Sequence, residues 1–324
     1  KYLLEANIRR DGSSKFGKNH RWNWFPSFSA GWRIIEEPWM EFAKPYVSTL
    51  KARVSWGSVG DQSVSSSLYI PTISTGQNEW INASTGQLAN YAGTPSTVSA
   101  GITWQRIETL DAGFDARFFN SQVGVTFDWF QRDTDQMIVP TDGVNTTTFG
   151  ASAPKANHGS LRTTGWELAI DGNYRFANGL GINGTFMIAD AKSTIMAYGD
   201  TKSLSSWYVG KTYGEIWGYR ASGIIQSEEE AKEYNEKYDL SYLSGTAWTP
   251  GDVKYVDLDG DKAINKGGNK LGDMGDFTII GNTTPRYQYT FNGSISWKDL
   301  SLSMMFQGVG KRDWDPGTAP YFWG

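Results

Sequence analysis

The chain has no cysteine in 324 residues and only two histidines. Without thiols there is neither a disulfide framework nor a thiolate metal site, and two imidazoles are too few for a catalytic zinc cluster. No apolar run is long enough for a helix to cross a bilayer, and mean hydropathy is negative. That excludes a transmembrane helix. It leaves open a span built from strands, whose signal is diluted by alternation. Charge of one sign is also lacking: 30 basic residues stand against 34 acidic ones, dispersed along the chain, which speaks against a nucleic-acid surface. There is no Gly-x-Ser-x-Gly elbow and no phosphate loop, and the opening residues are expected to be strand rather than signal peptide.

What the chain does have is alternation. Tyr287, Tyr289, Phe291, Gly293, Ile295 and Trp297 fall on one side of a strand, opposite Gln288, Thr290, Asn292, Ser294 and Ser296. After Lys298-Asp299 the pattern resumes with Leu300, Leu302, Met304 and Phe306. Side chains of a strand alternate at period two, so this reads as a hairpin with an oily face and a wet face. The figure recurs in Leu110–Trp129, broken at Asn120, and in Trp166–Ile188, broken at Asn178-Gly179. Single strands precede them at Tyr2–Ile8 and Leu50–Trp56. Roughly ten strands of about ten residues can be drawn, the length of a tilted membrane-spanning strand.

A soluble sandwich alternates too. The connections favour a barrel: three hairpins close with short turns, whereas Gly60 to Gly101, Arg132 to Leu161 and Lys192 to Pro285 are long. An up-and-down membrane barrel keeps short turns at one rim and long loops at the other. Aromatics, 15% of the chain, gather near strand ends at Trp32, Phe118-Phe119, Trp129-Phe130 and Trp297, as an interfacial girdle does. An open sheet in lipid leaves edge backbone groups unpaired, so a chain that starts and stops mid-pattern is expected to be a fragment. Closure by ten strands is the alternative.

Tyr2-Leu3-Leu4-Glu5-Ala6-Asn7-Ile8-Arg9-Arg10-Asp11-Gly12, Phe25-Pro26-Ser27-Phe28-Ser29-Ala30-Gly31-Trp32-Arg33, Leu50–Gly57, Phe127–Thr134, Gly159–Glu167, Gly251–Asp257, Ile279–Asn282 and Phe306–Gly310 resemble, in order and spacing, the barrel of SusC/RagA-type TonB-dependent outer-membrane receptors. The resemblance implies an all-β, antiparallel up-and-down transmembrane β-barrel of about 22 strands with long extracellular loops. Residues 1–324 would be a partial barrel domain, with the plug, TonB box, first strands and last strands missing. It also implies a Gram-negative outer-membrane location among lipid, a SusD-like lipoprotein lid, TonB acting through the missing plug, and active import of glycan oligomers or of peptides. The chain would be no enzyme. A soluble lectin-like all-β module and a β-rich glycoside hydrolase are the other readings, separated from the first by detergent dependence and by sugar hydrolysis.

Three groups of residues are candidates for chemistry. Asp257, Asp259, Asp261 and the Ala263 carbonyl occupy positions 1, 3, 5 and 7 of an EF-hand-like run, Asp257–Asn265, suited to Ca2+ or Mg2+. Lys262 replaces the expected Gly, and Gly268 stands where a bidentate Glu belongs; Asp273 or Asp276 can substitute if the loop folds back. A solvated Asp/Gly turn accounts for the same residues. Second, loop aromatics beside amides such as Gln77, Asn78 and Asn82 suit a sugar's apolar face and hydroxyls. Trp80, Trp207 and Tyr208 are selected from a set with Tyr91, Trp104, Trp217, Tyr219 and Trp248, all of which ordinary loop packing also explains. Third, Asp111, Asp115, Arg117, Asp128, Glu167, Asp171 and Arg175 lie on the polar strand face, where opposite charges pair across strands and help seat a plug. A glycosidase carboxylate pair is conceivable there, but nothing singles out an acid in a dry pocket. Ser227 followed by Glu228-Glu229-Glu230 predicts a capped loop helix to about Tyr238.

Overall fold

The computed structural model describes residues 1–65, 68–141, 153–315 and 317. Its strands in chain order are β1 (Tyr2–Gly12), β2 (Trp22–Arg33), β3 (Val47–Asp61), β4 (Thr75–Ile81), β5 (Leu88–Ala92), β6 (Gln105–Phe118), β7 (Val123–Pro140), β8 (Lys155–Arg175) and β9 (Gly181–Ala197). The later elements are β10 (Glu215–Tyr219), β11 (Ala221–Ile224), a helix α1 (Glu228–Lys237), β12 (Val253–Tyr255), β13 (Phe277–Asn282), β14 (Arg286–Trp297) and β15 (Leu300–Lys311). Nine of them form one sheet in the order β1-β2-β3-β6-β7-β8-β9-β14-β15. Sequential strands are neighbours throughout it, as in an up-and-down barrel sheet. The remaining six pair as β4-β5, β10-β13 and β11-β12.

Register converts the alternation into two faces. Tyr2 faces Trp32, Trp32 faces Ala52, Ala52 faces Phe114, Phe114 faces Phe127, Phe127 faces Leu168, and Leu168 faces Ile188. This apolar row crosses seven strands without a polar interruption, and a one-residue slip anywhere would move a strand's oily side chains to the wet side. Among the described residues no second layer seals the face. Phe114, Ile170, Phe186 and Phe291 remain 39%, 40%, 37% and 38% exposed. A sandwich would have buried them, whereas an outward barrel face leaves them to lipid.

Strand lengths differ from the sequence-based drawing. β7, β8 and β9 run 18, 21 and 17 residues, so much of the expected Arg132–Leu161 connection is strand; its residues 142–152 lie outside the described set. Beyond the apolar zone, Asp133, Thr134, Asp135 and Gln136 make both faces polar, and the period-two signal vanishes although the ladder continues. A bulge also intervenes: the register shifts between Thr134 and Met137, with Gln136 at φ +57. The three short connections are found at residues 119–122, 176–180 and 298–299.

The chain divides into two compact units, residues 1–200 with 290–306 and residues 201–289 with 307–324. The first has small clusters where connections gather: Phe16, Phe25, Ile102 and Trp104 together, and Ile35, Met40 and Ala43 together. The second has its own core of Ile225, Ala231, Tyr234, Leu240 and Ile264. Helix α1 supplies Ala231 and Tyr234 to that core. Its N-cap Ser227 accepts from the Glu230 amide, and Glu230 reaches back to the Gln226 amide at 2.7 Å, the capping arrangement expected from the sequence.

Candidate functional site

The polar face carries charge pairs built to a common plan. Arg53 on β3 lies opposite Gly113 on β6, and Gly113 lies opposite Asp128 on β7. The guanidinium crosses over the glycine and grips Asp128 at 2.6 and 2.7 Å, while Nε reaches Asp115 at 3.1 Å. Arg117, Gly124 and Asp171 repeat the arrangement one strand further on, with an ion pair of 2.7 Å. In both rows a Cβ on the glycine would collide with the charged side chains passing over it. Arg162 and Asp133 form a third pair at 2.6 Å. These pairs tie neighbouring strands together and rigidify a wall, with Arg53 shared among Asp128, Asp115 and, at 3.7 Å, Asp111.

The loop aromatics separate into presented and anchored rings. Trp80, on the β4-β5 hairpin of the first unit, is 78% exposed, and its amide is tied to Asn78 Oδ1 at 3.0 Å. Asn82 Oδ1 is likewise occupied by the Ser84 amide. In the second unit Trp207 is 37% exposed and stacks on Tyr213 at 5.8 Å with an interplanar angle of 10°. Lys211 Nζ sits 5.5 Å from the Trp207 ring and donates to the Ser206 carbonyl at 2.8 Å.

Tyr208 is anchored. It is buried, and its hydroxyl donates to Glu215 Oε2 at 2.6 Å. The Trp217 indole donates to the same oxygen at 3.2 Å, and the Thr212 amide to Oε1 at 2.6 Å. Burial, followed by the bond to Glu215, raises the Tyr208 hydroxyl above its ordinary pKa. The ring therefore packs the loop and offers no face to a ligand. Trp217 and Tyr219 both contact Phe277, Trp248 contacts Tyr255, and Trp104 is in the cluster with Phe16. Sequence reasoning missed the hub, Glu215, because one acid in a loop carries no periodic signal.

The aspartate loop folds back. Asp257, Asp259 and Asp276 each place a carboxylate oxygen within 4.8 Å of the others. Asp276 is fully buried and accepts from the Leu258 and Asn265 amides at 2.5 and 3.1 Å. Asp257 accepts from Gly260 and Lys262 amides, with Gly260 at φ +84 and Lys262 at φ +65. Asp261 turns instead to the Ala263 amide at 2.7 Å, and the Ala263 carbonyl is taken by Asn265 Nδ2 at 2.8 Å. Asp273 serves the Gly268 amide. The converging set is thus positions 257, 259 and 276, all hard oxygen donors. At Asp259 a bond from the Asp261 amide favours the charged form, but desolvation and the carboxylates of Asp261, Asp276 and Asp257 together hold the pKa above its ordinary value.

The family model described as TonB dependent receptor-like, beta-barrel matches residues 1–323. TonB-dependent receptor P3 of Formosa agariphila is 25% identical over 325 residues, covering 95% of this chain and 30% of that protein. TonB-dependent receptor SusC of Bacteroides thetaiotaomicron is 30% identical over 171 residues, covering 53% of this chain and 17% of SusC. The structure of the RagAB peptide importer in the open-open state superposes with a TM-score of 0.69 at 19% identity, covering 95% of this chain and 31% of that one; this likeness is one of fold. The chain belongs to the TonB-dependent receptor-like β-barrel family, a family of outer-membrane proteins. It spans 30% of the length of curated relatives such as P3.

Proposed function

We propose that this chain forms part of the wall of an outer-membrane, TonB-dependent importer of nutrient oligomers, with glycans as the cargo class and a SusD-like lipoprotein as the lid. The observation that carries the reading is the nine-stranded antiparallel sheet with an uncovered apolar face on one side and paired charges on the other. The chemistry of such a wall is passive: it holds a pore and a plug, and breaks no bond of the cargo. Energy reaches it through TonB. Glycan is favoured over peptide by Trp80, whose exposed ring is a flat apolar surface of the kind a pyranose stacks on; Trp207, already stacked on Tyr213, offers less of its ring. The acidic triad Asp257, Asp259 and Asp276 is the proposed holder of a Ca2+ or Mg2+ ion that braces the loop.

The test is uptake of fluorescently labelled oligosaccharides and oligopeptides by cells carrying the full-length receptor with its lipoprotein. Glycan uptake abolished by a protonophore supports the reading. Uptake of peptides alone removes the glycan assignment, and uptake indifferent to the protonophore removes the TonB-dependent one.

A further inference from the structure

The apolar face of β1 runs through Leu4, Ala6 and Ile8 and then meets a cation, Arg10, which the period of two sets on the same side. Register places Arg10 opposite Trp24, and Gly12 opposite Trp22. The guanidinium carbon lies 5.0 Å from the Trp22 ring centroid and 5.3 Å from that of Trp24, within cation–π range of both. The two indoles are 61% and 52% exposed, and the Trp22 ring fills the space that a side chain on residue 12 would need. Neighbouring Arg9, on the opposite face, pairs with Asp11 at 2.8 Å. Arg10 has no carboxylate partner among the described residues.

The rim on which these residues sit is also fixed. The β1-β2 connection sends Phe16 into the cluster with Ile102 and Trp104, and the Trp104 indole donates to the Arg21 carbonyl at 3.1 Å. That is the rim of the long connections, the outer one in this architecture.

We propose that Arg10, Trp22 and Trp24 form a binding site for the phosphate group of a phosphorylated lipid in the outer leaflet. The inference rests on the outer-membrane reading above and is independent of the cargo. The rings engage the guanidinium while its N–H groups remain able to take phosphate oxygens in a bidentate, charge-assisted pair. The indoles provide an amphipathic platform at headgroup depth. The same face continues through Ile8 and Leu4, which are 68% and 85% exposed and suit acyl chains. A soluble anion has no use for that apolar track; a lipid does.

The experiment is native mass spectrometry of the full-length receptor in detergent, titrated with diphosphorylated lipid A, with the same glycolipid dephosphorylated, and with inorganic phosphate as competitor. Heat-modifiable electrophoretic migration is checked for every protein. Diphosphorylated lipid A is expected to remain bound to the wild type, to weaken by about tenfold or more in Arg10→Gln, to weaken less in Arg10→Lys, and to be unchanged in the control Lys155→Gln. Equal binding by Arg10→Gln, equal binding of the dephosphorylated lipid, or displacement by millimolar phosphate would each overturn the site. Trp24→Ala gives an independent reading if Arg10→Gln does not fold. A wild type without heat-modifiable migration would instead overturn the membrane reading on which the site depends.

Discussion

Glycines on the polar face act as gaps through which charges pass. Gly113 separates Arg53 from Asp128, and Gly124 separates Arg117 from Asp171, so each arginine reaches an acid two strands away. A methyl group on Gly113 would meet the Asp128 carboxylate and the Phe127 carbonyl. Gly113→Ala is therefore expected to cost about 1–3 kcal/mol, the usual range for overpacking, read as a lower unfolding midpoint. Its cost should fall in an Asp128→Ala background to the part set by the Phe127 carbonyl. Equal costs in both backgrounds would mean that the glycine serves the backbone alone. Glu37 illustrates a second residue-scale device, in the connection between β2 and β3. It is buried and accepts from the Trp32 indole at 3.1 Å, the Tyr2 hydroxyl at 2.9 Å and Lys1 Nζ at 3.2 Å. The Trp32 bond first, then Tyr2 and Lys1, lower its pKa against an opposing desolvation. A carboxyl depressed in the fold stabilises at neutral pH and loses that contribution as the pH falls from the ordinary glutamate range through the folded value. The gap in melting temperature between wild type and Glu37→Gln should accordingly close on acidification; a gap constant with pH would assign the effect to packing.

At the scale of elements, legibility followed exposure to two solvents. Strands with one oily and one wet face announced themselves, down to the β14-β15 turn at Lys298-Asp299, where Lys298 adopts φ +53. The outer halves of β7 and β8, polar on both sides, did not. Helix α1 was legible because capping is local. The loop core was not, since Ile264 is fully buried in a segment read for its aspartates. Tyr208 and Trp207 are adjacent and chemically alike, yet only tertiary context buries one and presents the other. Asp276 was legible as an option, and its convergence with Asp257 and Asp259 required the loop to fold back. Two predictions belong here. Ile264→Ala removes a side chain from the Ile225–Tyr234–Leu240 cluster and should cost about 2–5 kcal/mol, seen as earlier proteolysis within residues 201–289 while the main sheet stays resistant. Simultaneous cleavage of both would show that the loop core is not an independent cooperative unit. Calcium should raise the protease resistance of the same segment in the wild type, because a divalent ion would bridge the converging carboxylates of Asp257, Asp259 and Asp276 and offset their repulsion. In Asp257→Asn with Asp259→Asn that response should vanish; a response retained there would remove the ion from this loop.

For the molecule as a whole, the decisive quantity is the difference between the two faces of one sheet. Ile170 and Ala169 are consecutive on β8, and the pleat sends them to opposite sides. Ile170 lies opposite Val125 and Phe186, in the apolar rows, whereas Ala169 lies opposite Thr126, beside the Asp115 and Arg53 network. In a soluble two-layer protein a lysine at Ile170 would sit in a core, and in an exposed sheet it would cost almost nothing. In a bilayer its cost depends on depth, about 2–4 kcal/mol near the midplane and about 0–1 near the interfaces. Ile170→Lys is expected to lower the stability of the receptor folded into lipid vesicles by an amount in that range. Ala169→Lys should be tolerated within about 1 kcal/mol, since the polar side is hydrated. The measurement is denaturant unfolding of the full-length protein from vesicles, followed by electrophoretic migration. Equal costs at the two neighbours would contradict the assignment of lipid to one face and water to the other, and with it the inference that the apolar rows from Tyr2 to Ile188 are the outer surface of a membrane wall.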